Sequence, residues 1–273
     1  MGNLPNSIKK FFKRSLQKLF SPSIRSADLQ RVLDELRVKK DRPVLVHSSL
    51  SGLGYLPSGP QTLLDGILAH LGPQGNIVLP THSWNLMNRG LRTFNVRETP
   101  SCVGAVTEWF RKRPGVIRSL HPTHSVAAMG PNAEELTQNH ENASTPCGLE
   151  TPYHRLLEHD ATILFFGAPL DTNTSYHCCE ALAGVPYLLQ AENCEFELID
   201  RLGNMHKRNL VLHQAGVARD LVPLNDKLKQ LGILRGNTLG KGQIRAIHGR
   251  AFMEYLCKEL IQNPDYLLKS KII

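Results

Sequence analysis

His177 and Glu180 are the two residues in this sequence whose types and spacing suit acid–base chemistry. Three positions apart on a helix, an imidazole and a carboxylate share one face. The carboxylate favours the charged ring and fixes which nitrogen carries the proton. His177 is therefore a candidate general base and Glu180 its orienting partner. The same spacing also describes an ordinary surface pair, so context must decide. Cys178 and Cys179 flank His177 and raise two other chemistries. A zinc site calls for spacing such as CxxC or HExxH, which the chain lacks, and no metal is expected. A thiol nucleophile would have to face His177, whereas adjacent residues on a helix diverge, so direct transfer is expected over a covalent intermediate.

The elements that must position the pair are legible around it. Residues 162–166, apolar and rich in β-branched and aromatic types, read as a buried strand closed by Gly167. Asp171, Thr172, Asn173 and Thr174 offer helix caps, so a helix is expected from there to about residue 183, ended by Gly184 and Pro186. That places the pair one turn inside a helix after a strand, where open α/β sheets build their ligand crevices.

Upstream, residues 43–47 form a strand that runs into Ser48, Ser49, Leu50, Ser51 and two glycines. Small hydroxyls and free backbone N–H groups after a strand suit a phosphate or pantetheine, although no Walker pattern is present. A helix over 60–71 and a strand over 76–79 follow, the strand ending at Thr81, where binding groups gather. Residues 85–102 are polar and irregular, a substrate-facing loop carrying Arg89, Arg92 and Arg97. A helix over 103–113 precedes Arg118, His121, Thr123 and Ser125. These four suit a phosphate, or else Arg118 satisfies loop carbonyls. Strands are expected over 126–129, 194–199 and 205–213, and helices over 220–231 and 244–260 with a turn at 232–242 between them. Arg245 and His248, in the last helix, are expected to support the core.

At 273 residues and 41% hydrophobic content, the chain is an ordinary α/β protein. Its net charge of +8 suggests nucleic acid, but six of those charges lie in residues 1–25, and no nucleic-acid-binding motif is present. The chain divides into that basic segment with its linker and a main domain over 26–273. Residues 8–20 place apolar positions at helical spacing between lysines and arginines. Such a helix lies in an anionic membrane interface or packs its stripe on the body or on a second subunit in a homodimer. Six cysteines without a framework, no apolar run long enough to span a bilayer and no signal peptide point to a cytoplasmic protein, peripheral to the membrane if that helix inserts.

Five segments in order resemble the aminoglycoside 3-N-acetyltransferase family. They are His47-Ser-Ser-Leu-Ser-Gly-Leu-Gly54, Ile77-Val-Leu-Pro-Thr-His82, Thr99-Pro-Ser-Cys-Val-Gly104, the run from Pro114 to Ser125, and Leu170-Asp-Thr-Asn-Thr-Ser-Tyr-His-Cys-Cys-Glu180. The resemblance implies a single-domain α/β architecture, a central mixed sheet flanked by helices and distinct from the GNAT fold, and an acetyl-CoA-dependent N-acetyltransferase acting on an amine. It implies His177 and Glu180 as the catalytic pair, and the loop Ser48–Ser51, Thr81 and the Arg118–Ser125 segment as coenzyme A contacts. Asp171 resembles an acid near the acceptor amine. The Arg-rich loop departs from sites that bind polycationic drugs, and with Arg89 and Arg92 as substrate contacts it inclines the acceptor toward an anionic amino sugar. A catalytically silent coenzyme A-binding protein is the rival reading.

Overall fold

In the computed structural model, residues 23–269 are described, and the expected helix over 8–20 with its membrane or subunit contact lies outside them. In chain order come α1 (Ser26–Glu35), β1 (Val44–Ser48), α2 (Pro60–Leu71), β2 (Ile77–Pro80), α3 (Trp84–Met87), β3 (Thr93–Asn95) and α4 (Ala105–Phe110). Next are β4 (Ile117–Arg118), β5 (Val126–Met129), α5 (Ala133–Thr137), α6 (Pro152–Glu158), β6 (Thr162–Phe166) and α7 (Tyr176–Ala183). The chain continues through β7 (Cys194–Ile199), β8 (Met205–Leu210), α8 (Val222–Gln230), β9 (Leu234–Leu239), β10 (Gly242–His248) and α9 (Gly249–Gln262).

Seven strands form one mixed sheet in the order β4-β5-β2-β1-β6-β10-β9. Its centre is parallel, with β1 between β2 and β6, and antiparallel strands flank it on both sides. Both faces are covered, so the central strands are apolar over nearly continuous runs, residues 44–46, 77–79 and 163–166, yet still alternate between faces. Leu45, Val78, Ile163 and Phe165 pack into one buried cluster with α6, α7 and α9. Val44, Val46, Leu79, Leu164 and Phe166 pack into the other with α1 and α2. Fully burying each such side chain contributes about 1.5–3 kcal/mol. A small sheet, β3-β7-β8, encloses a third cluster around Phe94 and Phe196. The mixed sheet flanked by helices is the fold expected.

Three departures have physical causes. Residues 244–260 are not one helix. Their first part is β10, whose alternating Ile244 and Ala246 face a core, and the helix begins only at Gly249. Residues 232–242, expected as a turn, contain β9, and the hairpin closes at Gly240, where φ is +60°. Within the irregular stretch 85–102, β3 pairs in parallel with β7.

Candidate active site

The sheet delivers the site at the carboxyl ends of its parallel strands. A cavity of about 430 Å³ opens there, lined among others by His47 and Ser48 from β1, His82 after β2, and Asp171, Tyr176 and His177. The loops that follow β1 and β6, beside Ser48 and Ala168 of its lining, meet by close approach. Gly167 has φ +64°, and a Cβ there would lie 2.7 Å from the Ser49 carbonyl oxygen. A Cβ on Gly52 would lie 2.6 Å from the Gly167 carbonyl oxygen, so only glycines let the loops after β1 and β6 meet.

The helix that carries the pair starts later than expected. Leu170–Thr172 is a separate 3-10 turn, Ser175 stands at the N-cap position of α7 without a capping hydrogen bond from its side chain, and His177 stands in the first turn of α7 rather than one turn inside it. Asp171 thereby sits exposed at the cavity's rim instead of capping the helix.

Within α7 the pair is joined, with Nδ1 of His177 2.7 Å from Oε2 of Glu180. His177 is 15% exposed and Glu180 fully buried. A buried carboxylate requires a positive partner, and Arg219 supplies it. Its Nε donates to Oε1 at 2.7 Å and its Nη2 to Oε2 at 3.1 Å, while the guanidinium lies over the rings of Tyr176 and Tyr187. Burial alone would push the Glu180 carboxyl up, but hydrogen bonds from His177 and Arg219 outweigh it and hold the carboxyl below its usual range. Burial lowers His177, Glu180 works against that, and the ring stays below its ordinary value. With Nδ1 engaged, Nε2 is the nitrogen available to a ligand, and at neutral pH it carries a lone pair. The arrangement can accept one proton and stabilise the cation that results.

Other expected contacts are placed differently. Arg118 is buried away from the cavity lining, over the ring of Phe94 at 4.8 Å. Its donors reach the carbonyls of Thr99 at 2.5 Å and Thr81 at 2.6 Å and the Ser125 hydroxyl at 3.1 Å. Burial lowers its pKa to about 9. With every group of its fork engaged, Arg118 braces the loops after β2 and before β5 and is not a phosphate contact. Thr81 and Ser125 belong to this brace, hydroxyl to hydroxyl at 3.2 Å, and both are fully buried. His121 is buried against His140, with ring centroids 4.4 Å apart. Thr123 lines a second, smaller hollow behind His177. Arg89 and Arg92 are exposed and line neither hollow; Arg92 donates to the Met87 carbonyl at 3.0 Å and lies over Phe196. Of the serine loop, Ser48 lines the cavity with its hydroxyl buried and unpartnered among the described residues. Ser49 donates its N–H to the Phe166 carbonyl at 2.9 Å, extending the sheet, and its hydroxyl meets that of Ser51 at 3.2 Å. Leu50 opens a short 3-10 turn beside them.

The sequence reading missed Arg219 and a shell of neutral histidines. Burial lowers His47 and His82 to about 3, and His124 and His213 well below their ordinary value. Arg219 lies 39 residues from Glu180 in an irregular segment, where no spacing rule reaches. Buried Cys178 and Cys179 have their thiols pushed well up by burial, which leaves them poor nucleophiles.

The family model for aminoglycoside 3-N-acetyltransferases matches residues 45–260. Aminoglycoside N(3)-acetyltransferase IX of Micromonospora chalcea is 34% identical over 171 residues, covering 56% of this chain and 60% of its own length. The chain thus spans about three fifths of that curated relative. A mutant of aminoglycoside acetyltransferase AAC(3)-IVa in complex with a gentamicin superposes with a TM-score of 0.77 at 27% identity, covering 91% of this chain and 93% of its own. AAC-IIIb, solved binary with CoASH, superposes with a TM-score of 0.75 at 22% identity, over 88% of this chain and 97% of its own, and shares the fold.

Proposed function

We propose that this chain, which belongs to the aminoglycoside 3-N-acetyltransferase family, transfers acetyl from acetyl-CoA directly to an amino group of an aminoglycoside-like amino sugar. The observation that carries the mechanism is the His177–Glu180 hydrogen bond, set in the cavity wall and closed from behind by Arg219.

The acceptor amine must be neutral to attack the thioester carbonyl, and attack leaves it with a proton too many. His177 Nε2 takes that proton as the C–N bond forms. Glu180 stabilises the imidazolium, and Arg219 keeps Glu180 ionised and aimed. The carbonyl oxygen becomes an oxyanion that needs a donor. Ser48 Oγ, buried in the cavity wall without another partner among the described residues, fills that role. The Thr81 hydroxyl is instead committed to Ser125. When the tetrahedral species collapses, the C–S bond breaks, the imidazolium returns its proton to the coenzyme thiolate, and His177 is neutral again. No acyl-enzyme is needed.

Acceptor charge follows from the rim. Asp171 is exposed there, whereas Arg89 and Arg92 lie outside the lining, so the cavity favours a cationic amine over the anionic one that the arginines suggested. The complex of mutant AAC(3)-IVa with a gentamicin has the same sense of charge. Coenzyme A release should be followed with a thiol reagent across aminoglycosides and anionic amino-sugar nucleotides, for the wild type and His177→Ala. Turnover with aminoglycosides that falls by about 10²–10⁴-fold in the variant is expected. Equal turnover in both proteins removes His177 as the base, and turnover confined to anionic acceptors removes the assignment at Asp171.

A further inference from the structure

Behind His177 lies a second hollow of about 250 Å³, walled by His124, His177, His213 and Arg219, and acetyl transfer assigns it nothing. We propose that His124 and His213, together with Cys147, form a binding site for a zinc-class divalent cation.

One ligand atom from each of the three side chains can be chosen so that all lie within 4.8 Å of one another. They come from three separate segments: the loop before β5, the stretch after β8 and the buried turn ahead of α6. The two rings meet edge to face, with centroids 4.5 Å apart. Both ring nitrogens of His213 are buried without a hydrogen-bond partner among the described residues. A neutral imidazole always carries one N–H and one lone pair, so this ring is left with unsatisfied polarity that a cation would resolve on the lone-pair side.

The hydrogen bonds around His124 are compatible with a lone pair on its Nε2. Nδ1 of His121 accepts the backbone N–H of Thr123 at 3.3 Å and of His124 at 3.1 Å, so it is the unprotonated nitrogen of that ring. The Thr123 hydroxyl, 3.4 Å away, can donate to the same atom and accept from Nδ1 of His124 at 2.8 Å. His124 then carries its proton on Nδ1 and presents a lone pair on Nε2. A metal-binding histidine is commonly oriented this way, by a partner on its far nitrogen.

Two imidazoles and a sulfur, with no carboxylate, suit zinc and not magnesium or calcium. Tetrahedral zinc, with bonds of about 2.0–2.3 Å, holds its ligands about 3.5–4 Å apart, so the three side chains would draw in by about 1 Å. Burial keeps both imidazoles neutral and pushes the Cys147 thiol well up. Binding therefore releases one proton, from Cys147 Sγ to solvent as the metal–sulfur bond forms. The fourth position is left open beside His177, whose ring centroid is 4.5 Å from that of His213. An occupied site places a cation against the base, so zinc inhibits transfer. That consequence rests on the proposed function; the binding does not.

The test is a titration of the metal-free protein with Co²⁺, without substrates, followed by absorbance. One equivalent should produce a thiolate-to-cobalt charge-transfer band that Zn²⁺ abolishes by displacement. The band should vanish in Cys147→Ser, persist in Cys102→Ser, and need at least tenfold more Co²⁺ in His213→Gln, with far-ultraviolet circular dichroism confirming that each variant is folded. A wild-type protein that gives no band overturns the site whatever the variants do. So does a band that survives Cys147→Ser.

Discussion

Replacing Arg219 by Met should shift the acid limb of the activity profile toward higher pH. Arg219 and His177 share one acceptor, Oε2 of Glu180, at 3.1 Å and 2.7 Å. Through that shared atom the guanidinium lies no more than about 6 Å from the ring nitrogen, where at an effective dielectric constant of about 20 two like charges repel by about 3 kcal/mol. Such a repulsion is about two pH units, and the 15% exposure of His177 lets solvent reduce it, so a shift of about one to two units is expected. The direction is fixed by the roles. His177 works as a base only when neutral, and burial holds its pKa below 6.5 in the wild type, with Glu180 opposing burial and Arg219 adding to it. Removing Arg219 removes a charge that disfavours the imidazolium, so the pKa rises and neutral enzyme is lost at a higher pH.

The assay is kcat/KM from about pH 5 to pH 8.5 for both proteins, which reports the free enzyme's base. Near pH 8 His177 is neutral in both, and only poorer positioning of Glu180 separates them. Near pH 6 the variant should lose about a further tenfold. Removing one partner of a buried pair costs about 3–5 kcal/mol, with the low end expected because Glu180 keeps the Nδ1–H of His177 as a hydrogen-bond donor. An acid limb that stays in place or moves down refutes the Arg219–Glu180–His177 coupling.

Two more predictions test the groups around the site. Arg118→Lys loses the planar fork that reaches Thr81, Thr99 and Ser125 and should destabilise the protein by about 3 kcal/mol in urea unfolding, with the KM for acetyl-CoA changed less than about twofold. A raised KM at unchanged stability would return Arg118 to the coenzyme. Acid should unfold the protein early. His47, His82, His121, His124, His140 and His213 all have pKa values depressed by burial, so their contribution is complete above the unfolded value of 6.5 and is lost as pH falls below it. Near pH 5.5 each loses on the order of 1 kcal/mol, which for the set is comparable with the stability of a domain. Urea midpoints that stay flat between pH 7 and 5.5 would show that these rings are protonated in the fold.

Much of the fold was legible because its central strands are short apolar runs bounded by glycine, proline or polar residues. Residues 126–129, 162–166 and 194–199 coincide with β5, β6 and β7. The β9–β10 hairpin was not, because Ile244, Ile247, Ala251 and Tyr255 satisfy a helical period as well as a strand followed by a helix, and only pairing with β6 decides. The His177–Glu180 pair was legible because both partners lie on one helix. Arg118 was misread because charge and hydroxyls near a sheet edge look alike whether they face a ligand or one another; its direction, toward carbonyls rather than the cavity, is a tertiary fact. Arg219 and the meeting of His124 with His213 depend on distant segments and left no local signal.

The acceptor's charge is also a problem of balance. Among the described groups that line the cavity, the histidines are neutral near pH 7, and the charges on Glu180 and Arg219 behind them offset each other, so Asp171 presents the one formal charge to a ligand there. A carboxylate near a cationic amine binds it but also favours its protonated form, which cannot attack. Tighter binding at the rim thus makes the first deprotonation harder. The second proton, released as the C–N bond forms, belongs to a far stronger acid and needs only a neutral base in place. A His177 held below its ordinary pKa suits that step, since it is unprotonated and ready across the physiological range, and buried Glu180 compensates for its weaker basicity at the moment the ring becomes charged. Asp171→Asn should therefore raise the KM of a polycationic acceptor several-fold while kcat at pH 8 falls little. Equal losses in kcat and in kcat/KM would mean that Asp171 acts in the transition state instead of only holding the amine.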